Sequence, residues 1–381
     1  MSLLGTETAF EVLARAKALE AQGQSIIFLG IGEPDFDTPE HIIGAAKDAL
    51  EQGYTHYTPS PGIPEVRSAI AESMSQRQGY EIAPSNVIIT PGAKPIMFFT
   101  ILALCEAGDE VIYPNPGFPI YESMIRFSGA TPVPMPLREE LEYNPDPTEI
   151  EKLFSSKTKL VIVNSPNNPC GSVIPDSTLE LIAEFASNYG SVVLSDEIYK
   201  DFYYEGRHNS ITKYPDIRAS SVILDGLSKS YAMTGWRVGY GVFPDALVEP
   251  VTRLVTNSVS CTPAFGQMAT ITALADSQES VTAMVGEFRA RRDILVNGLN
   301  KLPGISCPNP AGAFYAFPSI KGTGLSSEEF ERRVLYEAGV SLISGTSFGE
   351  HGQGYVRISF ANSQENIIEA LNRIEKFLSK L

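Results

Sequence analysis

Four short segments of the chain carry residue types that could act together on a small molecule. Asn164-Ser165-Pro166-Asn167-Asn168-Pro169-Cys170-Gly171 follows the apolar run Leu160–Val163, and Ser195-Asp196-Glu197-Ile198-Tyr199 follows Val192–Leu194. Ser228-Lys229 follows Val222–Leu224, with Arg237 eight residues beyond the lysine. Pro91-Gly92-Ala93-Lys94 joins Val87–Ile89 to a helical segment, where free backbone N–H groups and the positive end of a helix make an anion site. The side chains offer an amine, a carboxylate, hydroxyls and a guanidinium, the groups of nucleophilic and proton-transfer chemistry and of anion binding. Taken singly each has a plain structural reading: lysine as a surface cation, Asp196 as a helix cap, Asn-Pro as a turn. Gly30 and Gly32 lack the third glycine of a dinucleotide fingerprint, and no P-loop motif occurs.

The surrounding pattern shows what could position these segments. Val87–Ile89, Glu110–Tyr113, Leu160–Val163, Val192–Leu194, Val222–Leu224 and Val238–Val242 read as strands, with helical segments such as Lys94–Glu106 and Asp176–Tyr189 among them. Short apolar strands alternating with helices predict a largely parallel sheet covered on both faces, and such sheets bind ligands at the carboxyl ends of their strands. Before it, Thr8 and Glu11 have capping-box spacing at the start of an amphipathic segment closed by Gly23, and Thr38-Pro39 opens a helix ending near Gly53, with Pro39 its first residue. After Pro244 come helical patterns over about 245–258 and 278–300, strands at Phe314–Phe317, Val340–Ile343 and Tyr355–Phe360, and a closing helix over 363–380. A large central domain and a smaller one assembled from both chain ends are expected.

Composition narrows the function classes. Length and a 43% hydrophobic content allow two domains and a core that needs no staple. A net charge of −16 argues against nucleic-acid or anionic-membrane partners while leaving small anions open to a local cluster of cations. The four cysteines and four histidines are scattered without a C-x-x-C pair, so neither a metal site nor a disulfide framework is expected. The longest near-apolar stretch, Ile96 to Cys105, is ten residues, too short to span a bilayer, and no secretory signal is visible. A cytoplasmic location is expected.

The ordered set Asn-Asn-Pro-x-Gly, Ser-Asp-Glu-x-Tyr, Ser-Lys and Arg resembles the fold-type I pyridoxal-phosphate aminotransferases of class I/II, and among them the prokaryotic aspartate aminotransferase-like group. The likeness runs from Gly30-Ile31-Gly32-Glu33-Pro34-Asp35-Phe36 to Tyr355-Val356-Arg357-Ile358-Ser359. It implies an α/β aspartate aminotransferase-like fold, with a mostly parallel seven-stranded sheet sandwiched by helices in a cofactor-binding domain of residues 46–274. Residues 1–45 and 275–381 would form the smaller α+β domain.

By this resemblance Lys229 holds pyridoxal 5'-phosphate as a Schiff base and, once released, shuttles the substrate's α-proton. Asp196 holds the ring nitrogen protonated; Asn168 and Tyr199 bond the ring's 3'-oxygen; Phe118 stacks on the ring. Ala93 and Lys94 (through backbone amides), Ser228 and Arg237 meet the phosphate, and Tyr57 reaches it from the second subunit of a homodimer. Arg357 clamps the substrate's α-carboxylate, helped by Asn168 and the backbone of Gly32, and Phe314 and Tyr315 line the pocket. Gly226 stands where the family often has serine, and Cys170 where it often has threonine. Lys94 has two readings, a contact for a distal substrate carboxylate or a cation serving solvent or phosphate. The implied activity is a ping-pong exchange between an L-amino acid and a 2-oxo acid, glutamate/2-oxoglutarate as one pair and aspartate, alanine or an aromatic amino acid as the other. A β-carbon–sulfur lyase on the same cofactor is the nearest rival. A DNA-binding regulator built on this fold is the other, and it is disfavoured by the charge and by a match that begins by Gly30.

Overall fold

The computed structural model describes residues 4–5, 7–206 and 208–381. A helix over Thr8–Ala21 leads to the two-residue strand β1 (Ile27–Phe28), followed by helices Glu40–Glu51 and Pro64–Gln78. Among the described residues one large sheet is then built from β2 (Val87–Thr90), β3 (Glu110–Asn115), β4 (Thr131–Arg138), β5 (Asn144–Pro145), β6 (Thr158–Asn164), β7 (Val192–Asp196), β8 (Ser221–Gly226) and β9 (Gly239–Val242), in the order β2-β9-β8-β7-β6-β3-β4-β5. The pairs from β4 through β3, β6 and β7 to β8 are parallel; β9 runs antiparallel between β8 and β2. The sheet is mostly parallel, as expected, with one strand more than the seven expected. The extra strand is β5, two residues that turn back antiparallel on the end of β4.

Strand β4 escapes a reading of the sequence because Pro132, Pro134 and Pro136 look like breakers. Their alternation is what makes the strand possible. Successive residues point their N–H groups to opposite sides, and the three positions that lack one all share a side. The intervening residues turn towards β3, where the Thr131 N–H donates to the Asp109 carbonyl at 2.8 Å.

The central strands are apolar on both faces, for the reason predicted. Leu160 and Ile162 of β6 pack on one side with Ile96 and Met97 of the helix Lys94–Leu104, while Val161 and Val163 pack on the other with Leu179 and Ile182 of the helix Asp176–Tyr189. Full burial of each such side chain contributes roughly 1.5–3 kcal/mol. The helix Ala264–Ala275 has no apolar stripe to betray it; its buried faces are lined by small residues, and it packs with Ile42 and Ala46 of the helix Glu40–Glu51.

Both chain ends meet in the remaining strands, β10 (Tyr315–Ala316), β11 (Val340–Ser341), β12 (Ile343–Ser344) and β13 (Val356–Ser359). Strand β11 pairs in parallel with β1, and β13 lies between β10 and β12. The single strand expected over Val340–Ile343 is thus two, because the chain changes partner at Leu342. Two helix starts also differ from expectation. Glu7, not Thr8, is the N-cap of the first helix, and its own side chain makes no capping hydrogen bond. Pro39 is the N-cap and not the first residue of its helix; its carbonyl accepts from Ile42 and Ile43, while the Thr38 hydroxyl donates to the Ala232 carbonyl. This helix spans residue 45, where a domain boundary was expected.

Beneath β8 lies a buried charge network. Lys200 Nζ sits 2.8 Å from Asp225 Oδ1 and 3.2 Å from Asp201 Oδ2, Tyr240 donates to Asp225, and Ser230, next to Lys229, donates to Asp201. Lys200→Met is expected to cost about 3–5 kcal/mol, because it removes the direct ion-pair partner of the buried Asp225 carboxylate and leaves only the Arg77 charge nearby. An unchanged urea unfolding midpoint would show that the pair is dispensable.

Candidate active site

The carboxyl ends of β6, β7 and β8 open into a cavity of about 480 Å³. The parallel register sets Asn164 beside Asp196, and Asp196 beside Leu224, so the three loops that follow emerge side by side. Twelve residues singled out in the sequence for site roles line this one cavity: Asp196 at the end of β7, Asn168, Tyr199, Ser228 and Lys229 from those loops, Ala93, Lys94, Phe118 and Arg237 from one wall, and Gly32, Tyr315 and Arg357 from the other. Tyr57 is not among them; it lies on the surface, 91% exposed.

Lys229 is partly buried at the end of β8, its Nζ donating to the Gly32 carbonyl at 2.6 Å. Burial lowers its amine to about 8, with Arg357 and Arg237 adding to the effect against Glu33 and Glu7. An amine poised there is neutral often enough at mild pH to act as nucleophile and base. The Asp196 carboxyl is raised to about 6, because burial outweighs hydrogen bonds from the Tyr121 hydroxyl (2.5 Å) and the Ile198 N–H (3.2 Å). Tyr121 was missed in the sequence. Its position three residues beyond Phe118, in the first turn of the helix Ile120–Ser128, is the one signal that could have suggested it.

The anion site is built on close backbone approach. Gly92 has φ +83°, and a Cβ there would lie 2.1 Å from the Arg237 guanidinium. A Cβ on Gly239 of β9 would lie 2.2 Å from the Ala93 nitrogen. Arg237 is itself left-handed (φ 55°), and its fork is anchored on the Thr234 and Pro91 carbonyls beside the N-terminus of the helix Lys94–Leu104. Gly226 has a steric reason for not being serine, since its Cβ would lie 3.0 Å from the Gly239 Cα. Cys170 is buried, and burial pushes its thiol well up, as suits a small spacer.

Arg357 is buried between the rings of Tyr315 and Phe348, with its guanidinium carbon 4.6 and 4.7 Å from their centroids. It donates to Asn168 Oδ1 (2.9 Å) and the Gly30 carbonyl (2.6 Å); among the described residues its Nε has no partner and no carboxylate pairs with it. Only neutral acceptors hold this cation, and burial lowers its pKa. Tyr199 donates to or accepts from the Tyr315 hydroxyl at 2.7 Å. That hydroxyl fills the space a Cβ on Gly32 would need, at 1.9 Å. Lys94 is ion-paired with Glu7 at 2.7 Å, a partner that no sequence signal announced.

These residues fit pyridoxal phosphate: a glycine-walled cradle beside Arg237 suits its phosphate, and a carboxylate raised by burial suits a protonated ring nitrogen. A lysine and an aspartate held in this way at the strand ends of such a sheet define a pyridoxal-phosphate enzyme of amino-acid chemistry. Residues 24–374 match the model for aminotransferase class I and II, and the chain belongs to that family, whose members depend on pyridoxal phosphate. A relative named aspartate aminotransferase, from Pyrococcus horikoshii, is 44% identical over 97% of this chain and 93% of its own length. Another from Thermococcus litoralis, named aromatic-amino-acid aminotransferase 2, is 41% identical over 94% of each. A solved structure of Thermus thermophilus aspartate aminotransferase with maleate superposes with a TM-score of 0.94 at 36% identity, over 98% of this chain and 97% of that one.

Two pH-linked outcomes follow. Capture of the cofactor by cofactor-free protein, followed by stopped-flow absorbance, should quicken as pH rises towards about 8 and level off above it; a rate flat from acid to alkaline pH would contradict the lowered amine. Asp196 has a folded-state value above its unfolded one, so its contribution to stability is lost as pH rises through about 6. The rise from 3.8 to about 6 corresponds to about 3 kcal/mol at pH 8 in the cofactor-free protein. Cofactor-free Asp196→Asn should therefore melt above the wild type at pH 8, while the loaded variant loses most of its activity; a lower melting temperature would count against that cost.

Proposed function

We propose that this aminotransferase exchanges amino groups between glutamate/2-oxoglutarate and a second pair whose amino acid is aspartate, alanine or an aromatic one. The observation that carries the reading is Arg357, a buried guanidinium held only by neutral acceptors at one wall of the cavity that contains Lys229. A substrate α-carboxylate supplies the counter-charge, and the two rings flanking the guanidinium keep its fork in one plane for bidentate binding. Names of the relatives, aspartate and aromatic aminotransferase, support the choice of partners.

When bound, pyridoxal phosphate supplies a ring that accepts the electrons left at the substrate α-carbon as its proton departs. Lys229 anchors it covalently and, once displaced by substrate, takes and returns that proton with an amine already close to neutral. Asp196 holds the ring nitrogen's proton, and Tyr121 and the Ile198 N–H keep the carboxylate aimed. Asn168 and Tyr199 bond the ring oxygen, Phe118 stacks, and Ser228, Arg237 and the amides of Ala93 and Lys94 hold the phosphate. Fixing the α-carboxylate on Arg357, with Asn168 and the Gly32 backbone, orients the α-C–H bond for proton loss. The exposed ring of Tyr57 suits a role in the cavity of a second subunit, which makes the enzyme a homodimer. The cofactor-binding domain ends near residue 274 and takes in the whole helix Glu40–Glu51, which packs with Ala264–Ala275, and the segments on either side form the smaller domain. Among the described residues no helix is long and apolar enough to cross a membrane, in keeping with a cytoplasmic enzyme.

Adding single amino acids without any oxo acid, while recording the visible spectrum, tests the reading. Loss of the band of the lysine-bound cofactor, with 2-oxo acid as the product, is expected. Release of pyruvate and ammonia from cystathionine with the band intact would instead mark a lyase. Lys229→Ala should abolish turnover. Arg357→Lys should raise KM for amino acids about 10- to 100-fold, since a charge-assisted hydrogen bond contributes about 1.5–3 kcal/mol; an unchanged KM would remove Arg357 from the substrate site.

A further inference from the structure

Apolar side chains and an ion pair share the cavity that contains Lys94. Phe10, Ile31, Met97 and Phe118 line it, and Lys94 Nζ lies 5.4 Å from the Phe118 ring centroid. Glu7 is the N-cap residue of the first helix, yet its carboxylate makes no cap. It turns into the cavity and meets Lys94 Nζ at 2.7 Å, its side chain only 14% exposed against 46% for the lysine. The glutamate is thus the more deeply placed partner, and its charge is felt at Lys229, Tyr315 and Arg357. A substrate held by its α-carboxylate on Arg357 that extended a second carboxylate towards Lys94 would find the cation already neutralised and a like charge beside it. A substrate with an apolar side chain would meet the apolar walls and leave the pair undisturbed.

We propose that Glu7 is a specificity-determining residue: the enzyme takes neutral amino acids onto an intact Glu7–Lys94 pair, and dicarboxylic amino acids only by displacing Glu7 from Lys94. This rests on the reading that Arg357 holds the α-carboxylate. It gives one cavity two modes, as a ping-pong enzyme with a dicarboxylic and a neutral partner requires, and it makes displacement of Glu7 the cost that separates them. Like-charge juxtaposition is a standard means of rejecting a competing ligand.

The test compares glutamate with phenylalanine in the first half-reaction of the loaded enzyme, followed as loss of the visible band without an oxo acid. Glu7→Gln should raise the glutamate-to-phenylalanine ratio of second-order rate constants about tenfold, and should tighten calorimetric binding of the unreactive dicarboxylate maleate by a similar factor. Glu7→Ser, which puts a good capping residue at the N-cap, should give the same shift if the glutamine variant folds poorly. Adding Lys94→Met to either should cancel the gain. An unchanged or lowered ratio, or a gain that survives Lys94→Met, overturns the role of Glu7. If Arg357→Lys leaves the apparent affinity for both amino acids at the wild-type value, the placement of the substrate fails instead, and this inference fails with it.

Discussion

Asp196 and Arg357 bring opposite charges into the same cavity, each buried and neither paired with an ion among the described residues. Burying an unpaired charge is among the most expensive things a fold can do, and it persists only where surrounding structure leaves the group no alternative. Here the constraint is met from two directions. Asp196 is the last residue of β7, locked by parallel pairing to β6 and β8 and by hydrogen bonds from Tyr121 and Ile198. Arg357 is on β13, between β10 and β12, its fork pressed between Tyr315 and Phe348. In the proposed function these charges, stored by the scaffold, are satisfied by ligand: the carboxylate by a ring nitrogen, the guanidinium by a substrate carboxylate.

The other parts of the site follow from that arrangement. At the helix Lys94–Leu104 the backbone is packed tightly on itself: a Cβ on Gly92 would meet Arg237, one on Gly239 would meet Ala93, and one on Gly226 would meet Gly239. Lys229 must remain a usable amine among cations, and burial together with Arg357 and Arg237 lowers it to about 8. Behind it, the Lys200–Asp225–Asp201 cluster ties β8 to Ser230, so the backbone on either side of the lysine is held by buried charges that have partners. Unpaired charge in front and paired charge behind divide function from stability across one strand.

Much of this was legible in one dimension. The strands β6, β7 and β8 announce themselves because both faces are covered, so nearly every residue is apolar, and the polar residues begin where the strands stop. The strand β4 was hidden because its prolines look like breakers, and only an edge-facing row of missing N–H groups makes them compatible with a strand. The helix Ala264–Ala275 was hidden because it is apolar nearly all round, Phe265, Met268, Ile271 and Leu274 adding to its small residues, so no polar face sets off a stripe. Strands β11 and β12 were read as one because a change of partner at Leu342 leaves no mark on the apolar pattern.

The same division runs through the site. The sequence by itself offered Lys229, Asp196, Asn168 and Tyr199 at or just past strand ends with Arg237 close behind, and the resemblance to the aminotransferases added Arg357. Tertiary structure alone decided their partners: Tyr121 on Asp196, Tyr315 on Tyr199, Glu7 on Lys94. Those pairs are separated by 75, 116 and 87 positions. A hydrogen bond or ion pair needs a few ångströms and a direction, and over such separations only the packing of the whole chain can set either.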